Sequence, residues 1–354
     1  MSSATQRTFT DDKRPDLEGY LRHTLGAERV EIHAAALLSG GAVQENWRLG
    51  VSVAGGSREG EHAWVLRTDA LARLPVSLDR TAEFRVLSVA HSAGISVAEP
   101  LVDCADASIL GAPFMILTAM PGTANARTLT RDPNLEAWGA DLAYALGTEL
   151  ARIHQIRPQS PAASDLGFLP RQLLPPAHAE VQRLRNLLDS ASEARPALEY
   201  ILNWLERHAP VTETTTLVHG DFRTGNFLVD DGTLSAILDW EFAHWGDPLE
   251  DLGWFCARGW RFGADDREAG GLAPRSAVLE GYRSVSGRTI TAGDLVFWEI
   301  LAAAKWAAIA VLQGDRYRTG GEDSLELVLT GLLPPEMELD ALLQIEAAET
   351  QLPA

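Results

Sequence analysis

The residues with the strongest chemical signal lie between positions 219 and 240. Residues 219–226 read His-Gly-Asp-Phe-Arg-Thr-Gly-Asn, and residues 237–240 read Ile-Leu-Asp-Trp. Asp221 follows a short predicted strand, Asn226 comes shortly after it, and Asp239 ends the next predicted hairpin. Their carboxylate and amide oxygens can converge on one point, which suits a hard cation such as Mg²⁺. Phosphoryl transfer requires such a site together with a carboxylate that accepts the proton of the attacking hydroxyl.

The elements before this segment predict an antiparallel sheet with one inserted helix. Apolar residues at helical spacing indicate a short helix from 17 to 25 and another from 79 to 91. Strands are predicted at 30–38, 46–53, 63–68 and 114–117, with one more near Pro100 and a turn before the last strand. A break follows at Met120, Pro121 and Gly122.

From residue 134 the pattern predicts long helices, at 135–154, 181–188 and 197–208, with the proline-rich stretch 174–177 as a connector. Between 217 and 240 lies an island of strand character, with Asp231-Gly232 as a hairpin turn. Helices resume at about Asp251 and dominate the rest of the chain. The predicted fold class is α+β, with a strand-rich N-terminal part at 1–120 and a mainly helical C-terminal part at 121–354.

The two motifs resemble those of the aminoglycoside phosphotransferases and related small-molecule kinases, which share the protein-kinase-like fold. The resemblance covers essentially the whole chain and implies a nucleotide-binding lobe at 1–120 and a catalytic and acceptor-binding lobe at 121–354. It implies that Asp221 is the catalytic base and that Asn226 and Asp239 hold Mg²⁺ between the phosphates of ATP. It also implies that the segment 247–252 braces the catalytic loop.

The resemblance extends less strongly into the N-terminal part. Gly40 and Gly41 lie where a nucleotide loop is expected, although a glycine pair between strands is also an ordinary turn. Arg67 takes the place of the strand lysine that contacts the α- and β-phosphates. Glu83 resembles the helix glutamate that pairs with this residue, the alternative being an exposed helix position. Met120 lies in the expected hinge, whose backbone binds adenine in such kinases.

Lysine is scarce, since only Lys13 and Lys305 occur among 30 basic residues. Lys13 precedes the sheet and Lys305 lies in a late helix, so neither fills the phosphate-binding position. Arginine keeps the charge and offers a planar fork that matches phosphate, but its shape differs. Two hypotheses follow: an active ATP-dependent O-phosphotransferase with all three metal-site and base residues present, or a pseudokinase that binds nucleotide without turnover.

Composition limits the partners. A net charge of −19 over 354 residues argues against a broad nucleic-acid surface, which needs many cations. Two cysteines are too few for a disulfide scaffold, and residues 1–16 lack the apolar core of a secretory signal. The longest apolar stretch, 301–312, is shorter than a membrane span. We expect a cytoplasmic protein without membrane contact whose partners are ATP and a small-molecule hydroxyl acceptor; whether it forms a homodimer stays open.

The acceptor is less defined by the sequence. Aromatic residues in 254–262 follow the bracing segment and favour an apolar acceptor, although most such residues belong to cores. Asp265, Asp266 and Glu268 could hold amino groups, with a solvated acidic loop as the alternative. The chain resembles the branch containing the kinase domains of acyl-CoA dehydrogenase family members ten and eleven. That resemblance implies a hydroxyacyl-CoA acceptor, with arginines near the pocket for the CoA phosphates.

Overall fold

The computed structural model describes residues 8–38, 44–69, 77–212, 214–319, 322 and 324–351. The chain forms two compact units. The first consists of Met1–Gly122, Ser164–Phe168 and Ser235–Ala243, and the second of Thr123–Ala163, Leu169–Leu234 and His244–Ala354. The assignment of nucleotide binding to 1–120 and of catalysis and acceptor binding to 121–354 stays a prediction.

The first unit is built on a five-stranded antiparallel sheet with the order β1-β2-β3-β5-β4. Its strands are β1 (Arg29–Leu37), β2 (Gln44–Ala54), β3 (Gly60–Asp69), β4 (Pro100–Cys104) and β5 (Phe114–Thr118). Helix α1 (Arg14–Thr24) precedes the sheet, and helix α2 (Arg80–Ser92) is inserted between β3 and β4. The predicted antiparallel sheet with an inserted helix is confirmed.

The link between β4 and β5 differs from the predicted turn. It contains the short helix α3 (Ala107–Leu110), capped by the Asp106 carboxylate, which accepts from Ser108 N at 2.8 Å. Gly111 ends the helix in the left-handed conformation, with φ of 90°, which glycine adopts without steric cost. Four helical residues are too few to produce a periodic apolar pattern, so the sequence alone indicated only a turn.

The segment Ser235–Ala243, which carries Asp239, belongs to the first unit. Its backbone is tied to that unit at two points. Ile237 N donates to Ser96 O at 2.7 Å, and Leu78 N donates to Glu241 O at 2.7 Å. These bonds place Asp239 in the unit that contains the five-stranded sheet.

The second unit is mainly helical and contains two-stranded sheet β6-β9. The strand pair β7-β8 forms the predicted hairpin around Asp231 and Gly232. The elements from this part of the chain are α4 (Ala126–Thr130), α5 (Leu135–Ile153), α6 (Pro176–Leu188), α7 (Pro196–His208), β6 (Thr216–Val218), β7 (Phe227–Asp230), β8 (Thr233–Ile237), β9 (His244–Gly246), α8 (Pro248–Cys256), α9 (Arg275–Ser286), α10 (Ala292–Arg318), α11 (Leu325–Thr330) and α12 (Pro334–Gln351). The last three residues of β8 belong to the first unit. Short 3₁₀ turns occupy Asp11–Lys13, Pro161–Leu166, Trp240–Phe242 and Arg258–Trp260.

Two predicted boundaries in this unit were wrong, and one strand was missed. Helix α6 begins at Pro176, inside the stretch expected to be a connector, and α8 begins at Pro248 rather than at about Asp251. Proline is well suited to the first helical position, because its missing N–H has no partner there in any case. Strand β9 was missed, since three residues are too few to show an alternating pattern.

Helices α5 and α9 pack closely because glycines face each other's backbone. A Cβ on Gly147 would lie 2.0 Å from Val278 O, and one on Gly281 would lie 2.0 Å from Tyr144 O. Only glycine allows this approach. At the end of α5, His154 Nδ1 lies 3.0 Å from Tyr282 Oη of α9, so the close packing fixes a histidine that belongs to the candidate site.

Helix α10 is 27 residues long, which exceeds the stretch 301–312 recognised as apolar in the sequence. Within the part of the chain that the structure describes, its length and composition alone would allow it to cross a membrane. However, 72% of its most apolar window is buried inside the protein. Burial of this kind is typical of the core helix of a folded domain. The absence of membrane contact stays a prediction.

Candidate active site

The loop that the sequence predicts to be catalytic begins directly after β6 and is shaped by its first three residues. The His219 ring is buried and its Nδ1 accepts a hydrogen bond from Asp221 N at 3.2 Å. Gly220 has φ of 80°, a conformation that strongly favours glycine. The His-Gly-Asp run therefore forms a tight turn that presents the Asp221 side chain.

A buried carboxylate holds this turn from below. Asp251 Oδ2 accepts from His219 N at 2.7 Å, and Asp251 Oδ1 accepts from Gly220 N at 2.9 Å. His154 Nε2 lies 3.1 Å from Asp251 Oδ2. Burial works to raise the pKa of Asp251, but the hydrogen bond and charge of His154, with smaller contributions from His219, outweigh it and hold the pKa below its ordinary value.

The bracing helix α8 supplies this carboxylate. Asp247 caps it by accepting from Leu249 N at 2.8 Å, and Pro248 occupies its first position. An aspartate cap followed by proline is a strong helix start. Asp251 then lies one turn into the helix and fully buried, which is how the segment 247–252 braces the loop.

Three donors surround the Asp221 carboxylate. Oδ1 accepts from Trp254 Nε1 at 2.9 Å and from Arg223 Nε at 3.2 Å, while Oδ2 accepts from Asn226 Nδ2 at 2.6 Å. The Asp221 side chain is 13% exposed. Its carboxylate is thus fixed in orientation, and Oδ2 has the fewest donors.

Asn226 is oriented by the same residue. Its Nδ2 also donates to Asp221 O at 2.8 Å. Because both contacts use the amide nitrogen, Oδ1 is the amide atom available to a cation. An oxygen donor from a fixed amide fits a magnesium ion, which prefers oxygen ligands. The structure therefore brings Asp221 and Asn226 together in the second unit.

Arg67, Glu83 and Asp239 lie together in the first unit. Arg67 Nη1 lies 3.0 Å from Glu83 Oε1, and Arg67 Nη2 donates to Asp239 Oδ1 at 3.1 Å. Glu83 is fully buried and also pairs with Arg80. Glu83 is thus not an exposed helix residue, and the ion pair implied by the resemblance is present. Contact of Arg67 with the nucleotide phosphates stays a prediction.

Asp239 has an unusual backbone. Its φ and ψ are 64° and 58°, the left-handed region in which non-glycine residues are uncommon. Such conformations concentrate at functional sites, where the surrounding structure must hold them. With Arg67 on Oδ1, the second oxygen of the carboxylate fits the role of metal ligand that the sequence predicts.

Two predictions for the nucleotide site are less constrained. Gly40 and Gly41 lie outside the described residues. Met120 follows β5 in a coil segment and is half-buried; just before it, Ala119 N donates to Ala63 O at 2.9 Å. Its role as an adenine-binding hinge residue stays a prediction.

A cluster of buried charges lies close to the catalytic loop. His244 Nε2 lies 3.3 Å from Glu180 Oε1 and 3.2 Å from Glu250 Oε2, and Lys305 Nζ lies 3.3 Å from Glu250 Oε1. Burial would lower the pKa of His244, but Glu250 and then Glu180 raise it to about 10. Glu180, His244 and Glu250 could geometrically hold a metal ion. However, the His244 imidazolium and the Lys305 ammonium already supply positive charge to the two carboxylates.

Besides His154, three further residues of this site were not recognised as part of it from the sequence. Lys305 Nζ donates to Gly220 O at 3.2 Å and lies 5.1 Å from the ring centroid of Trp254. Trp254 was placed with the aromatic residues of the acceptor region, yet it donates to Asp221. Arg223 was present in the motif but had no role. The only available signal was its position two residues after the predicted base.

The family is decided by a sequence profile. That of the Phosphotransferase enzyme family matches residues 35–287, which include every residue of the loop, its brace and the Arg67 cluster. The chain belongs to this family. Membership makes it a small-molecule kinase, in agreement with the resemblance seen in the sequence.

The curated proteins that this chain resembles are longer than the chain. Acyl-CoA dehydrogenase family member 10 from Mus musculus is 33% identical over 185 residues, which is 49% of this chain and 16% of that protein. Acyl-CoA dehydrogenase family member 11 from Pongo abelii is 26% identical over 357 aligned positions, covering 95% of this chain and 44% of that protein. The chain thus spans less than half the length of these relatives.

Solved structures show the same fold. A Ralstonia eutropha JMP134 protein assigned to the aminoglycoside phosphotransferases superposes with a TM-score of 0.74 at 21% identity, over 94% of this chain and 98% of that one. The aminoglycoside phosphotransferase APH(4)-Ia, solved as a thermostable mutant with AMP-PNP and hygromycin B, gives 0.55 at 16% identity, over 91% and 97%. The kinase-like α+β fold predicted from the sequence is confirmed.

Proposed function

We propose that this phosphotransferase moves the γ-phosphate of Mg-ATP to a hydroxyl of a small molecule, with Asp221 as the general base. The observation that carries this proposal is the fixed carboxylate of Asp221. Two donors hold Oδ1, and Asn226 holds Oδ2 from one side only. A carboxylate oxygen has more than one lone pair. Oδ2 can therefore take a hydrogen bond from the substrate's hydroxyl group and then remove its proton.

The residues suited to the metal are Asn226, through Oδ1, and Asp239. A bound Mg²⁺ would supply positive charge that partly neutralises the nucleotide phosphates. Arg67 contributes a planar cation toward the phosphates from the first unit, and Glu83 holds that cation by their ion pair. The AMP-PNP and ADP complexes of related phosphotransferases support ATP as the phosphate donor.

For the acceptor we favour a hydroxyacyl-CoA or another apolar alcohol over an aminoglycoside. The names of the two relatives point to acyl-CoA chemistry in the longer proteins. Beside Asp221 lies an aromatic cluster made of Trp254, Trp260 and Trp306, with successive ring centroids 5.2 and 5.1 Å apart. Trp254 and Trp260 are buried in this cluster and Trp306 is partly buried, so Trp306 is the ring best placed to contact an apolar chain. We place the reaction in the cytoplasm.

A screen for ATP consumption tests this function. The purified protein is incubated with Mg-ATP and with hydroxyacyl-CoAs, small alcohols, macrolides or aminoglycosides, and products are analysed by mass spectrometry. We expect ADP formation together with a product that has gained one phosphate group, greatest for the hydroxyacyl-CoAs. A preference for aminoglycosides would overturn the acceptor class, and consumption of ATP without a phosphorylated acceptor would contradict the transfer.

A second candidate is a pseudokinase that binds nucleotide without turnover, and the observation that favours it is Arg67 in place of lysine. Titration calorimetry with Mg-ATP, performed beside the screen, separates the two. Binding with no phosphorylated product from any acceptor class supports the pseudokinase. Binding together with transfer supports the kinase.

A further inference from the structure

Arg223 lies beside Asp221, the proposed catalytic base. Its Nε donates to Asp221 Oδ1 at 3.2 Å, and its guanidinium carbon lies 4.7 Å from the ring centroid of Trp260. Its Nη1 makes only a long contact, at 3.4 Å, to Thr224 O. The side chain is 28% exposed. Stacking on an aromatic ring fixes the plane of the guanidinium, so its outer N–H groups are pre-organised for a ligand.

Two carboxylates that the sequence offered for an aminoglycoside are engaged in ion pairs. Asp265 pairs with Arg258, and Glu268 pairs with Arg275. These are two of the three acidic residues that the sequence offered for the amino groups of an aminoglycoside. Their ion pairs support the alternative of an acidic loop without a ligand role.

Two cations instead flank the base. Arg223 contacts Asp221 directly, and Lys305 lies over the ring of Trp254, which also donates to Asp221. Lys305 is 24% exposed. Lys305 is already paired with Glu250, so Arg223 is the cation that favours an acceptor carrying an electron-rich oxygen over one carrying ammonium groups.

The reach of Arg223 limits where that oxygen lies. The hydroxyl must be within a hydrogen bond of Asp221, and the second oxygen within a hydrogen bond of Arg223. Each bond spans about 3 Å, the 3.2 Å contact joins Asp221 Oδ1 to Arg223 Nε, and Oδ2 and the Nη atoms each lie about 2 Å further apart, so the two oxygens of the substrate are separated by roughly 14 Å or less. The acyl oxygen of a short hydroxyacyl group meets this limit, whereas the CoA phosphates at the far end of an extended pantetheine arm do not.

We infer that Arg223 is a specificity-determining residue that binds the acyl oxygen of the acceptor, a carboxylate or thioester carbonyl oxygen a few bonds from the phosphorylated hydroxyl. This inference rests on the proposed function. A hydrogen bond to a charged group contributes about 1.5–3 kcal/mol. Since about 1.4 kcal/mol is tenfold, its loss should reduce selectivity about 10- to 100-fold.

The test compares three acceptors of equal chain length: a hydroxy acid, its CoA thioester and the corresponding alcohol without an acyl group. The measured quantity is kcat/KM for each acyl acceptor divided by kcat/KM for the alcohol. In Arg223→Met we expect this ratio to fall about 10- to 100-fold, and in Arg223→Lys to fall less, because the charge remains. The better of the two acyl acceptors identifies the source of the oxygen.

Arg258→Met is the matched control, since it removes a neighbouring arginine that does not contact Asp221. Its ratio should equal that of the unmodified protein, and the Mg-ATP thermal shift of each variant should show that it is folded. A purely structural Arg223 would lower kcat for all acceptors and leave the ratio unchanged, which overturns the inference alone. If the unmodified protein showed no preference for acyl acceptors, the inference alone would again be overturned. If it transferred phosphate to none of the acceptors, the proposed function would be overturned as well.

Discussion

The brace beneath the catalytic loop gives the most quantitative prediction. Asp251→Asn keeps the size of the side chain but replaces one acceptor oxygen by an NH₂ group. In the unmodified protein, Asp251 Oδ1 accepts a hydrogen bond from Gly220 N. Asp251 Oδ2 accepts one from His219 N and lies 3.1 Å from His154 Nε2. The favoured amide orientation keeps its oxygen toward His219 and His154. The new NH₂ group then faces the N–H of Gly220, donor against donor.

The size of the effect follows from this arrangement. A buried backbone N–H without an acceptor costs about 1–3 kcal/mol. For a unit of this size, each kcal/mol lowers the melting temperature by about 2–4 °C, so we expect a decrease of roughly 2–12 °C. Gly220 precedes the base, and a shift of about 1 Å in a catalytic group can reduce the rate about 100-fold. We therefore expect a large fall in kcat together with a modest loss of stability.

Thermal melting and steady-state kinetics check both effects. Asp266→Asn, at an exposed position outside the brace, is the control and should leave the melting temperature and kcat unchanged. If Asp251→Asn melted and turned over like the unmodified protein, the two backbone bonds would not hold the loop, and the argument from the brace would be refuted.

Three further predictions concern the other charged groups. Arg67→Lys should weaken Mg-ATP binding about tenfold in calorimetry, because one ammonium cannot reproduce the fork on Glu83 and Asp239; equal affinity would contradict the assigned role. Asp239→Ala should remove most of the magnesium-dependent part of the Mg-ATP thermal shift, and an unchanged shift would place the metal elsewhere. His244→Gln should lower the melting temperature most below about pH 6.5. Glu250 raises the pKa of His244 to about 10 against the opposing effect of burial, so the stabilisation is complete below the ordinary pKa and is lost as the pH rises through 10. A difference from the unmodified protein that stayed constant up to pH 10 would disprove the charged state of this imidazole.

Local sequence signals predicted the elements that carry the site. The apolar spacing of residues 79–91 predicted helix α2, and Asp231-Gly232 predicted the hairpin turn, because both signals lie in neighbouring residues. Boundaries were less predictable where proline begins a helix, as at Pro176 and Pro248, because proline also marks connectors. Strand β9 contains too few residues for any periodic signal.

The second layer of the site depends on contacts between distant parts of the chain. Trp254 lies 33 residues after Asp221, Lys305 lies 85 residues after Gly220, and Asp239 lies 172 residues after Arg67. No spacing rule connects such pairs. The motif revealed which residues carry the chemistry, and only the fold revealed which residues hold them in place.

The most direct test of the proposed function follows the γ-phosphate itself. ATP labelled in that group is incubated with the protein, Mg²⁺ and the preferred hydroxyl acceptor, and the label on the acceptor is counted for the unmodified chain and for Asp221→Asn. We predict transfer by the unmodified chain and a rate about 10²- to 10⁴-fold lower in the variant, the usual contribution of a general base. Equal transfer by both proteins would contradict the assignment of Asp221 as the base.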